Sequence, residues 1–128
     1  MDLQAYQLFA FYGSLRMGMY NYQIYEKALQ YEFSARLSGY GLFSLGDYPA
    51  AYKSNSDQSI VVEMFRIQDL VTAKEIHALE LDAGYFIEKI KFMNFDVGIY
   101  LMDWDGKAIL VDSGDWVQYG LARQGGNN

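Results

Sequence analysis

The sequence has no cysteine and a single histidine, His77. Disulfides, a thiolate nucleophile, and zinc sites built on cysteine or on two or three imidazoles are thereby excluded. Cationic side chains are scarce: 10 Lys and Arg stand against 16 Asp and Glu, for a net charge of -6, and they form no basic run. Nucleic acid and anionic membrane surfaces are poor partners for such a chain. No apolar stretch approaches the ~18 residues needed to span a bilayer. Met1-Asp2-Leu3-Gln4 lacks the basic-then-apolar pattern of a secretory leader. A soluble cytoplasmic protein is the expectation these absences leave. Proline occurs once, at Pro49, so no proline-rich linker divides the chain.

What is present is a core. Of 128 residues, 52% are hydrophobic and 17% aromatic, with 12 tyrosines. This is the composition of one globular domain, expected over 1–124, with Gly125–Asn128 as a frayed tail. Leu8–Tyr12 reads as a buried strand. Asn21–Tyr31 reads as a short helix with Asn21 as N-cap and Ile24, Ala28 and Tyr31 on one face. Glu32–Tyr40 alternates like a strand, which Gly41–Leu45 continues past a glycine kink, and Gly46-Asp47-Tyr48-Pro49 makes a turn. Lys53–Ser59 is polar and reads as an exposed loop. Ile60–Ile67 is a strand, and Asp69–Leu81 is the clearest helix, with Asp69 as N-cap. Tyr85–Phe92 and Asp96–Met102 form a hairpin around Asn94. A second hairpin turn, Asp103-Trp104-Asp105-Gly106, leads into a strand at Ala108–Val111. Many strands with two principal helices give an α+β domain with a mixed, strongly curved or closed sheet.

The segment richest in chemistry is Phe11-Tyr12-Gly13-Ser14-Leu15-Arg16, followed by Gly18 and Asn21. A strand that stops at Gly-Ser turns sharply and leaves backbone N–H groups unpaired, which is a ready anion site, although an ordinary tight turn reads the same way. A Ser-His-Asp triad would have to use His77, which lies mid-helix, and Ser14 lacks the Gly-x-Ser-x-Gly setting; a solvated helix histidine is the simpler reading. Carboxylates are better candidates. Ala73, Ile76 and Glu80 fall within roughly 60° of one another on the helical wheel. An inward Glu80 would have its pKa raised by desolvation and suit general acid/base work, whereas a Glu at the edge of the apolar face would snorkel to water. Glu63 interrupts an apolar strand, and if buried it must be paired, which points to a structural role. Tyr20, Tyr22 and Tyr25 fit either a hydrophobic pocket or packed core.

At this level the chain resembles the γ-glutamylcyclotransferase-like family, which includes γ-glutamylamine cyclotransferases, bacterial relatives and the plant avirulence-induced-gene group. The resemblance rests on five blocks in order. These are Phe11–Arg16 with Gly18 and Asn21, Gly39–Phe43 with Leu45–Ala50, Val62–Ile67, Ile76–Glu80, and Tyr100–Met102 with Ser113-Gly114-Asp115-Trp116. It implies a compact mixed β-barrel flanked by helices, with a cavity at one end. It further implies that Tyr12, Gly13, Ser14 and Leu15 hold the substrate α-carboxylate through backbone amides, and that Glu80 is the catalytic acid/base. The implied reaction cyclises a γ-glutamyl amine or γ-glutamyl amino acid to 5-oxoproline and frees the amine, without metal or cofactor. The chain departs from the family pattern at His77, where Asp is usual, at Leu81 and Val62, where Gly is usual, and in lacking a Tyr-x-Arg after the helix. A non-catalytic small-molecule-binding or regulatory protein on the same fold is the alternative.

Overall fold

The structure, a computed structural model, describes residues 2–126. In chain order the elements are β1 (Leu8–Phe11), α1 (Tyr20–Tyr25), β2 (Leu29–Ser38), β3 (Tyr40–Ser44), β4 (Pro49–Lys53), β5 (Ser59–Ile67), α2 (Leu70–Asp82), β6 (Phe86–Phe92), β7 (Phe95–Leu101) and α3 (Trp116–Gly126). Five strands form one mixed sheet in the order β2-β5-β1-β7-β6, and β3 and β4 form a separate pair. Every residue of β1 is buried, as its unbroken apolar run Leu8-Phe9-Ala10-Phe11 demands of a central strand. It runs parallel to β7 and antiparallel to β5. Its carboxyl end is thereby fixed at the middle of the sheet, where the Gly13-Ser14 loop departs. Among the described residues no helix is long and apolar enough to cross a membrane.

The fold is α+β, but the sheet is open, with β2 and β6 at its edges, so a barrel is only a loose description. Curvature accounts for the resemblance to one. Phe33 of β2 reaches Phe92 and Phe95 of the β6–β7 hairpin, with ring centroids 6.2 and 6.3 Å apart, so aromatic packing joins the two edges without a hydrogen-bonded ladder. The hairpin turn is Met93-Asn94, both with positive φ (49° and 68°), as the twist of a two-residue connection requires.

Several local expectations are corrected. The helix expected over 21–31 stops at Tyr25; a 3-10 turn spans Glu26–Ala28, and β2 begins at Leu29. Pairing of β2 with β5, from Leu29 opposite Ile67 to Ser38 opposite Ser59, recruits Tyr31 and its neighbours into the sheet. Asn21 is not the N-cap. Met19 holds that position without a side-chain bond. After Gly39 the chain does not continue the same strand but starts β3, which pairs with β4, a strand the sequence reading left unassigned. The expected strand Ala108–Val111 does not fold back on β7. It runs beside β3, making one bridge between Phe43 and Leu110 and donating the Val111 N–H to the Leu42 carbonyl at 2.9 Å. A third helix, α3, closes the chain and takes in the first two residues of the expected tail; Asn127 and Asn128 lie outside the described residues.

Candidate active site

Leaving β1, the chain forms the turn Gly13–Arg16, closed by the Arg16 N–H on the Gly13 carbonyl at 3.0 Å. The turn lies against the first residue of β4. A Cβ on Gly13 would stand 2.8 Å from Pro49 Cγ, so only glycine allows the approach. Among the described residues, no acceptor takes up the N–H groups of Gly13, Ser14 and Leu15. Adjacent free amides of this kind form an anion-binding concavity. The Ser14 hydroxyl accepts from Asn21 Nδ2 at 2.7 Å, and the Ser14 carbonyl accepts the Tyr22 N–H at 3.0 Å, so α1 holds the loop from one side.

Beneath the loop lies a buried ionic brace. Arg16 is 8% exposed and Glu63 6%. Arg16 Nε donates to Glu63 Oε2 at 2.8 Å and Arg16 Nη1 donates to Asp115 Oδ1 at 2.8 Å. Glu63 Oε1 accepts the Met17 N–H at 2.7 Å. Burial alone would lower the Arg16 pKa, but its hydrogen bonds to Glu63 and Asp115 outweigh burial and raise it. Burial likewise opposes ionisation of Asp115, yet Arg16 keeps its carboxyl below the usual range. The structural role expected of Glu63 is what these contacts provide.

The opposite wall is α2. Asp69 caps it by accepting the Thr72 N–H at 2.7 Å, and Ala73 and Ile76 are its buried residues. One turn beyond Ile76 comes Glu80. The helix ends in a Schellman motif in which Gly84, with φ +99°, turns the chain, the Gly84 N–H reaches the Leu81 carbonyl and the Tyr85 N–H reaches the Glu80 carbonyl at 3.0 Å. Glu80 and Tyr85 are therefore fixed relative to each other. Glu80 is half-buried, and burial raises its carboxyl pKa from 4.5 to about 7.

The nearby tyrosines do not relieve that desolvation, because their hydroxyls are engaged elsewhere. Tyr12 donates to the Tyr100 carbonyl at 2.6 Å, Tyr85 donates to the Pro49 carbonyl, and the Tyr100 hydroxyl pairs with His77 Nδ1 at 2.9 Å. Burial, and secondarily the Glu80 charge, pushes the Tyr85 and Tyr100 phenols far above their ordinary range. His77 is thus not a solvated helix histidine but a half-buried one, its pKa lowered by burial.

These walls enclose a cavity of about 410 Å³. Tyr12, Gly13, Ser14, Leu15 and Glu80 all line it, together with Ala10, Phe11, Tyr20, Asn21, Asp47, Tyr48, Pro49, Leu79, Ala83, Tyr85 and Tyr100. Of the three tyrosines after the loop, only Tyr20 reaches it. Tyr22 packs on Phe65 at 5.9 Å and Tyr25 lies against the core. Leu81 is 47% exposed and Val62 wholly buried, and neither is a wall residue. Sequence reasoning missed Asp47, Tyr48, Tyr85 and Tyr100. The turn at Asp47-Tyr48 was legible, but nothing local shows that it folds over the Gly13 loop.

A family model described as "Gamma-glutamyl cyclotransferase, AIG2-like" matches residues 9–118. No curated protein matches the sequence. Among solved structures, uncharacterized protein PH0828 from Pyrococcus horikoshii is similar over 91% of this chain and 95% of its own, at 22% identity and TM-score 0.76. Protein ytfP from Escherichia coli is similar over 88% of this chain and 98% of its own, at 27% identity and TM-score 0.70. The uropathogenic E. coli protein c4763 has 24% identity and TM-score 0.72, covering 89% of this chain and 94% of that one.

Proposed function

The chain belongs to the AIG2-like gamma-glutamyl cyclotransferase family, and from that premise we propose that it cyclises the glutamyl group of a γ-glutamyl amide to 5-oxoproline. The observation that carries the reading is one cavity with free loop amides on one wall and a desolvated carboxyl, Glu80, on the other. The amides of Gly13, Ser14 and Leu15 bind the α-carboxylate of the substrate. The α-ammonium then lies toward Glu80.

Catalysis consists of two tasks. Folding the glutamyl chain brings its amine to its own γ-carbonyl, a cost the fixed walls meet in advance. Proton movement is the other. An ammonium has no lone pair, so Glu80 first takes one proton from it. The amine nitrogen forms a bond to the γ-carbon, and the amide C–N bond breaks. Glu80 returns its proton to the departing nitrogen. The ring nitrogen sheds a second proton, and the products are 5-oxoproline carboxylate and a protonated amine. A carboxyl with a pKa of about 7 is matched to both transfers near neutrality.

The test is 5-oxoproline release from γ-glutamyl amino acids, γ-glutamyl-ε-lysine, simple γ-glutamyl amines and glutathione, with Glu80→Gln beside the wild type. Release by the wild type and none by Glu80→Gln is expected. Full activity in Glu80→Gln overturns the mechanism. Silence from every compound moves the reading to a ligand-binding protein on this fold.

A further inference from the structure

The cavity is charged with one sign only. Among the described residues, Asp47 and Glu80 are the carboxylic acids on its wall, and no Lys, Arg or His joins them. Arg16 sits under the loop with its guanidinium on Glu63 and Asp115. The zwitterionic glutamyl head uses two features: the loop amides for its carboxylate and Glu80 for its ammonium. One charge is left over. Asp47 lies exposed in the β3–β4 turn, and its carboxylate makes no hydrogen bond or ion pair with any described residue. Tyr20, 76% exposed, and Tyr48, 39% exposed, accompany it on the cavity wall. A carboxylate beside aromatic rings attracts a cation through both charge and ring quadrupole.

We infer that Asp47 is a specificity-determining residue, and that the leaving amine it selects carries a second, distal positive charge and no carboxylate. The inference rests on the cyclotransferase reading. It makes a γ-glutamyl diamine a better substrate than a γ-glutamyl amino acid, whose free carboxylate would meet Asp47 with no cation to receive it. Like-charge juxtaposition at the mouth acts against such leaving groups.

Three γ-glutamyl amides of equal chain length test this: one ending in an ammonium, one in a methyl, one in a carboxylate. Each is assayed for 5-oxoproline release by the wild type and for binding to Glu80→Gln. The expected order of kcat/KM and of affinity is ammonium, methyl, carboxylate, with ends separated on the order of tenfold at low salt and less at high salt. In Asp47→Asn the ammonium-to-methyl ratio falls about threefold, through KM rather than kcat, and in Asp47→Lys the order of the charged pair reverses. Equal or reversed preference in the wild type, in both release and binding, overturns the inference while release itself upholds the reaction. An unchanged ratio in both Asp47 variants removes Asp47 from the role. No release from any of the three overturns the reaction, and the binding order then decides the charge preference by itself.

Discussion

The two walls of the cavity are built on opposite principles. The Gly13–Arg16 wall is held by polar bonds: Arg16 to Glu63 and Asp115, Met17 to Glu63, and Asn21 to Ser14. Its charges are fully paired, and what it presents to the cavity is neutral backbone. The α2 wall has an acid with no bonding partner among the described residues, set among tyrosines whose hydroxyls are engaged elsewhere. Satisfied charges give rigidity, and an unsatisfied one gives reactivity. The loop wall is ordered by saturation and the α2 wall is set apart by deprivation.

Exchanging one side chain on each wall separates these principles. Glu80→Gln is expected to lower turnover by about three orders of magnitude, the range of general acid–base catalysis, while urea unfolding shows no loss of stability. Arg16→Met should do the reverse. It leaves buried Glu63 and half-buried Asp115 short of a cation and costs about 3 kcal/mol in the same unfolding experiment, with a rise in KM that outweighs any change in kcat. A stable, tight-binding Arg16→Met protein would mean the brace does not hold the loop.

A smaller effect is expected from pH. The Glu80 carboxyl binds its proton more tightly when folded, with pKa about 7, than when unfolded at 4.5. Between these values the folded state holds more protons than the unfolded one. Stability from this group is therefore full below pH 4.5, falls as pH rises to about 7, and is flat above it. The wild type minus Glu80→Gln difference in unfolding free energy should decline across that window; a level difference would mean that folding does not desolvate the Glu80 carboxyl. Activity should rise as pH passes through about 7, where the carboxylate of the folded protein forms. Smallest is Asn21→Ala, which frees the Ser14 hydroxyl from its anchor. The loss of one side-chain hydrogen bond, about 1 kcal/mol, is expected as a roughly fivefold rise in KM with little change in thermal midpoint.

The strands β1 and β5, helix α2 with its Asp69 cap, and the Asn94 hairpin were legible because each follows from local pattern. Glu63 was legible as a buried acid needing a partner, but its partners, the Arg16 guanidinium 47 positions away and the Met17 N–H 46 positions away, were not. The Asn21 reading failed for the same reason. A residue suited to cap a helix locally is spent on a side-chain contact seven positions back. β2 overran the end of the expected helix because its ladder to β5 is a distant pairing that periodicity does not see. The cavity showed the same division. The loop and Glu80 could be read from their own neighbourhoods, whereas Asp47, Tyr48, Tyr85 and Tyr100 reach the cavity only through the path of the folded chain.

The brace under the loop also sets a schedule for synthesis. Its hydrogen bonds span 47 residues from Arg16 to Glu63 and 99 from Arg16 to Asp115. When β1 and the loop leave the ribosome, Arg16 has neither partner; Glu63 follows, and Asp115 later still. Such long-range closure comes late in folding. The loop with its free amides is thus made well before the brace beneath it can close, which waits for Asp115, 99 positions behind Arg16.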